Sequence, residues 1–155
     1  MIASSGPDID DDEILAAYPD LRLDHLNKFF YGGLLRAELV LGRCAACGTW
    51  QTPVRSLCAR CWSTDIVPTP VRGRGTISLL TRLRQGPPAA GVDYSRPWPL
   101  AAIELEEQPG LRLAATIVDC PPDALRVGLA VEVTWIERDG APWYAFRPIE
   151  ADEAA

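Results

Sequence analysis

The residues with the clearest chemical capacity are four cysteines in two tight pairs, Cys44-Ala-Ala-Cys47 and Cys58-Ala-Arg-Cys61. Two residues between the cysteines of each pair let it close a small knuckle with both sulfurs on one side. The ten residues between the pairs let the two knuckles face each other. Four thiolates gathered this way complete a tetrahedral shell for zinc. Such a shell leaves no open position for water or substrate, whereas catalytic zinc usually keeps only three protein ligands, so the metal is expected to be structural. Rubredoxin-type iron uses the same ligand set, and residue types alone leave zinc and iron both open.

Other candidates for chemistry are sparse. His25 is the single histidine and is read as a helix-surface residue in an acidic stretch, so no Ser- or Cys-based triad can be assembled around it. Cys120 sits between Asp119 and Pro121, where negative charge disfavours a thiolate, and is read as a small half-buried residue. Glu104, Glu106 and Glu107 read as a solvated strand face and hairpin tip. The remaining group is cationic: Arg72-Gly-Arg74-Gly, then Arg82 and Arg84 on one strand face, then Arg96. Guanidinium forks suit phosphates and carboxylates, which makes Arg74, Arg82, Arg84 and Arg96 the candidate ligand contacts. Their expected counterparts are a compact polyanion such as a coenzyme A diphosphate, an acidic partner surface, or the chain's own acidic flanks.

Those flanks follow from the charge layout. Residues 1–40 hold eight acids and three bases, residues 41–96 two acids and eight arginines, and residues 97–155 eleven acids and four bases. The net charge of -6 disfavours nucleic acid as the main partner. The opening residues carry neither a basic nor an apolar leader pattern, and no stretch is apolar enough to span a bilayer, so a cytoplasmic protein with reduced thiols is expected.

The elements that must position these residues can be read from periodicity. Acids at residues 8–13 open a short helix over residues 12–18, stopped by Pro19. A second helix is expected from Asp24 as N-cap, with Leu26, Phe29, Phe30, Leu34 and Leu35 at helical spacing and Gly32-Gly33 weakening its last turn. Residues 39–41 lead as a strand into the cysteines. Beyond them, two-residue alternation marks strands over residues 76–84, 100–106, 111–118, 130–137 and 143–147, with Ile77, Leu79 and Leu83 on one face of the first. Pro109-Gly110 and Asp139-Gly140 are hairpin turns, and residues 122–126 a short helical connection. The long loop of residues 85–99 carries Tyr94 and Trp98. The fold class expected is mainly β: an N-terminal helical arm (residues 1–37), a zinc ribbon (38–66), a small barrel (67–149) and a tail (150–155).

The order of features resembles a known family. The residues that carry the resemblance are Phe29-Phe30-Tyr31-Gly32-Gly33-Leu34, Arg43-Cys44-Ala45-Ala46-Cys47-Gly48, Pro53, Cys58-Ala59-Arg60-Cys61 and Gly73-Arg74-Gly75-Thr76. Leu125-Arg126-Val127-Gly128 and Phe146-Arg147-Pro148 fit as well. They look like the domain-of-unknown-function 35 family over residues 24–149. The resemblance implies a rubredoxin-like zinc ribbon followed by an OB-fold barrel, with Cys44, Cys47, Cys58 and Cys61 as ligands of structural Zn2+. It also implies a non-catalytic subunit that docks on a thiolase-like or lipid-transfer-protein-like enzyme acting on acyl-CoA, with aldol or Claisen-type chemistry such as steroid or fatty-acid side-chain degradation. Phe29, Phe30, Tyr31 and Leu34, with the ribbon surface, would face that partner. Three rival expectations stand beside it: a single-strand nucleic-acid-binding OB module using Tyr94, Trp98 and the arginines, a rubredoxin-type electron carrier, and an enzyme built on Cys120.

Overall fold

The acidic opening run is helical because its charges sit where the helix dipole favours them. Helix α1 (Asp11–Ala17) is capped by Asp10 and carries Asp11, Asp12 and Glu13 in its first turn. A computed structural model describes residues 9–88 and 92–150 of the chain, so the tail expected at 150–155 lies outside the described residues apart from Glu150. Helix α2 (Lys28–Leu35) starts later than expected. Asp24 does not cap it; its carboxylate accepts the N–H groups of Leu26 (2.8 Å) and Asn27 (2.9 Å), closing a preceding turn that contains His25. The amides of Asn27 and Leu26 hold the Asp24 carboxyl below its usual range. Gly32 and Gly33 do not end the helix but lie buried inside it. A Cβ at residue 33 would come within 2.7 Å of the Glu38 carbonyl and 2.8 Å of Val40, so the missing side chain lets α2 lie directly on the strand that follows.

That strand, β1 (Val40–Cys44), is the centre of a three-stranded antiparallel sheet between β2 (Trp50–Gln51) and β3 (Ile66–Pro70). Strand β3 was not expected, because Pro68 and Pro70 argue against a strand. It exists at an edge: Val71 N–H donates to Leu39 O, and Asp65 O accepts from Ala45 N–H, so odd-numbered residues face β1. By alternation the prolines then face outward, where a missing donor costs no ladder bond. The ribbon sheet therefore runs to Pro70.

The second sheet has the order β6-β5-β4-β7-β8, all antiparallel: β4 (Arg74–Leu83), β5 (Trp98–Leu105), β6 (Arg112–Ala115), β7 (Ala130–Arg138) and β8 (Ala141–Pro148). It curls until its two ends meet. Just beyond β6, Ile117 bridges Phe146 in parallel, with Val118 N–H donating to Phe146 O (2.9 Å) and Phe146 N–H to Thr116 O (3.0 Å). Five strands closed this way form the Greek-key barrel of an OB fold, as expected. Asp139 and Gly140, both at positive φ, make the tight β7–β8 turn. Residues 122–124 form a turn, and no helix forms over 122–126.

One face assignment is corrected. Ser78 is an extra residue in β4, with Ile77 opposite Ile103 and Leu79 opposite Ala102, so the alternation reverses there. Ile77 stays inside, but Leu79 is turned outward and is 59% exposed, while Leu80 packs toward the core.

The core joins all three parts. Ile77, Ile103, Leu105, Val131 and Phe146 fill the barrel, and Leu39 and Leu41 from the ribbon and Leu34 from α2 belong to the same cluster. This corrects the expectation that Leu34 faces a partner, since it is fully buried within its own chain. The rings of α2 are also largely used at home. Phe30 meets Tyr144 edge-on (5.7 Å), Tyr31 lies 6.3 Å from Trp143, and Tyr18 packs on Trp143 (6.2 Å) while its hydroxyl donates to Pro142 O (2.6 Å). Burial beside Tyr31 raises the Tyr18 pKa above its ordinary value. A short helix has one apolar stripe, and here the barrel takes most of it. Phe29 alone of the four remains substantially exposed, at 40%.

Candidate metal centre

The two knuckles repeat one backbone design. Cys44 N–H donates to Thr49 O and Gly48 N–H to Cys44 O; fourteen residues later, Cys58 N–H donates to Ser63 O and Trp62 N–H to Cys58 O. Each turn presents its two sulfurs to the other. Cys44 Sγ lies 3.6 Å from Cys61 Sγ, Cys47 Sγ lies 3.6 Å from Cys58 Sγ, and all four sulfurs fall within 4.8 Å of one another. A tetrahedron with zinc–sulfur bonds of about 2.3 Å has edges of about 3.8 Å, so the thiolates as placed fit the ion. Cys44 and Cys58 are buried and Cys61 is exposed, which seats the metal at the rim of the ribbon.

The electrostatics favour a cation. Thr49, whose hydroxyl lies 3.1 Å from Cys47 Sγ and whose backbone also bonds that sulfur, holds the Cys47 thiol down to about 6. Backbone N–H groups of Cys61 and Arg60 lower Cys58 as well. Cys61 receives a bond from the Ser63 amide yet is pushed up to about 12 by the sulfurs around it. Four thiolates this close cannot all ionise unaided, and a divalent ion resolves the conflict. With four protein ligands the ion has no vacancy for chemistry.

A second cluster ties this centre to the barrel. The side chain of Gln108, in the β5–β6 turn, accepts from Trp50 N–H (2.9 Å) and donates to Trp50 O (3.1 Å), and the Arg43 guanidinium lies over the Trp50 ring at 5.3 Å. The expectation of a wholly solvated acid cluster is overturned at Glu107, whose side chain is only 7% exposed and accepts from Arg72 N–H (2.8 Å). Glu104 remains at the surface and pairs with Arg112.

The candidate arginines do not form one site. Arg74 begins β4 while Arg82 lies eight residues further along it, about 26 Å away in an extended strand. Arg82 donates to the carbonyls of Pro122 (3.1 Å) and Leu125 (3.2 Å). Arg84 and Arg96 are exposed at the same end of the β4–β5 pair. Tyr94 and Trp98 line a cavity of about 280 Å³ with Leu83, Leu100 and Trp143. Cys120 is half-buried, and burial pushes its thiol up. Sequence reasoning missed Thr49, Gln108 and Trp62; only the last had a visible signal, a tryptophan standing where the first knuckle has glycine.

Residues 32–67 match the ChsH2 rubredoxin-like zinc ribbon domain and residues 68–135 the ChsH2 C-terminal OB-fold domain. A DUF35 domain-containing scaffold protein of Methanocaldococcus jannaschii is 33% identical over 116 residues, 70% of this chain and 79% of that protein. The chain belongs to the DUF35 family. Within the family, its fold is similar to a chain of the solved Ltp2-ChsH2(DUF35) aldolase, at a TM-score of 0.72 and 29% identity, covering 83% of this chain and 98% of that one. A Thermomonospora curvata protein named "Probable enoyl-CoA hydratase alpha subunit" is 30% identical over 124 residues, 80% of this chain but only 37% of that protein's length. For a DUF35 protein with a ChsH2-type ribbon, the four-cysteine site is that of structural zinc. Among the described residues no helix is long and apolar enough to cross a membrane.

Proposed function

We propose that this chain is a non-catalytic subunit that docks on a thiolase-like or lipid-transfer-protein-like enzyme and supports its turnover of acyl-CoA. The observation that carries the reading is the likeness, over 83% of this chain and 98% of the other, to a chain of the Ltp2-ChsH2(DUF35) aldolase. The chemistry of the described residues agrees with it: the metal shell is closed, the fifth cysteine has a raised pKa, and the single histidine lies in an exposed turn. The reaction proposed for the complex is aldol or Claisen-type carbon–carbon chemistry on a steroid or fatty-acid side chain. Arg84 and Arg96 are the proposed contacts for coenzyme A phosphates, since Arg82 is committed to backbone carbonyls.

The test is reconstitution. The chain and each thiolase-like or lipid-transfer-protein-like protein of the same genome are purified, mixed and separated by size, and acyl-CoA cleavage is assayed with and without the chain. A stable complex with one of them, whose activity depends on the chain, is the expected result. If none binds and none changes in rate, the reading is wrong.

A further inference from the structure

The two knuckles superpose in their hydrogen bonding but differ at one place. Gly48 closes the first with φ +77°, and Trp62 closes the second with φ 65°. A bulky non-glycine residue in this left-handed region is unusual and carries a conformational cost that glycine would not. The side chain is not repaid by burial in its own chain, because Trp62 is 75% exposed, the most exposed of the large apolar residues described. Leu57, on the other side of the same cysteine pair, is exposed as well.

The surroundings restrict what could cover them. No Asp or Glu occurs from residue 39 to residue 64, while Arg55 and Arg60 flank Leu57 and Arg60 stands two residues before Trp62. Arg55 also lines an apolar groove of about 490 Å³ between α2 and the ribbon, whose walls include Phe29, Val54, Ile66 and Pro68. The neighbouring edge strand β3 offers no donor at Pro68 or Pro70, so strand addition is not the mode of contact. What is left is a cationic, aromatic knob beside an apolar groove. Partly desolvated Trp and Arg side chains at the centre of a contact are the usual strong anchors of protein interfaces. A second copy of this chain, at net charge -6, has acids enough to meet the arginines only if the knob sits away from the two-fold axis, since on the axis knob and arginines would meet their own kind.

We infer that Trp62, with Leu57 between Arg55 and Arg60, is the anchor by which the ribbon inserts into an acid-rimmed apolar pocket of the catalytic subunit. The inference rests on the docking reading above and names the surface that performs it. The strained backbone at Trp62 is retained because the indole must project there; glycine would relax the turn and remove the anchor.

The experiment uses the thiolase-like subunit that forms the complex in the reconstitution, with the full-length chain as wild type, Trp62→Gly, Leu57→Ser and Arg60→Glu. Trp62→Gly is expected to keep its zinc and unfold at an equal or higher urea concentration, yet to raise the Kd at least about thirtyfold. Arg60→Glu should slow association, and more at low salt than at high salt. If no thiolase-like subunit binds the wild type, both this inference and the proposed function fail. If wild type binds and Trp62→Gly binds within a factor of two, the anchor is overturned while the docking reading stands. Loss of self-association, or of affinity for a single-stranded oligonucleotide, with subunit binding unchanged would equally overturn it in favour of a second copy or a nucleic acid.

Discussion

Thr49 gives the metal site its lowest thiol, and it does so with a neutral hydroxyl and a backbone bond to the Cys47 sulfur. Serine at residue 47 would keep the turn but supply a poor zinc ligand. Cys47→Ser is therefore expected to lower zinc from one per chain to a small fraction and to remove hydrogen-exchange protection from the β1 amides, checked by elemental analysis and exchange. Tyr144 shows the opposite perturbation. Burial, with Tyr31 nearby, pushes its phenol up to about 12, and its hydroxyl donates to Ala114 O at 2.9 Å. The neutral form is the one the fold holds. Its contribution is thus fully present below the unfolded pKa of about 10 and is lost as pH rises from there toward about 12. Tyr144→Phe should cost about 1 kcal/mol at neutral pH and should flatten the alkaline fall in stability, measured by urea titration across that range. The four ligands were legible in the sequence because two pairs at fixed spacing have few other uses. Thr49 and Tyr144 were not, since a hydroxyl acquires its role only from the atom it is folded against.

At the scale of elements, the adjacent glycines of α2 separate two effects. At Gly32 a Cβ would make an ordinary contact, 3.6 Å from the Ile14 side chain, whereas at Gly33 it would strike the Glu38 carbonyl and Val40. Gly32→Ala should stabilise the protein by about 0.5–1 kcal/mol through helix propensity. Gly33→Ala should destabilise it by about 1–3 kcal/mol, because backbone cannot move aside as a flexible side chain can. Urea midpoints of the two variants check both signs. The same pair shows what patterning reveals and what it conceals: glycines in a helical stretch read as a weak end, although here they mark a close approach. The strands of the barrel were visible because each alternates, but alternation assumes an unbroken ladder, so the extra residue at Ser78 turned Leu79 outward without a trace in residue type. Strand β3 was hidden for the reverse reason: its prolines argue against any strand except one at an edge, and an edge is a property of the sheet.

Across the whole molecule, the ribbon and the barrel meet through few polar contacts, and the two bonds from Gln108 to the Trp50 backbone are central among them. Gln108→Ala would leave the Trp50 N–H without its partner, at a cost of about 1–3 kcal/mol. In the wild type, zinc release and the far-ultraviolet circular dichroism transition are expected to coincide on heating; in the variant, zinc release should come first. The barrel is completed by β8, the last strand, which pairs with β7, bridges Ile117 and receives the rings of α2. Chain growth runs the other way. All four metal ligands leave the ribosome about eighty residues before residue 141 does, so the ribbon can load its ion while the barrel is still an open sheet and Phe30 has no Tyr144 to rest on. The emerging protein thus has a phase in which its metal is secured and its aromatic arm is bare, and the last strand covers that arm only when it arrives.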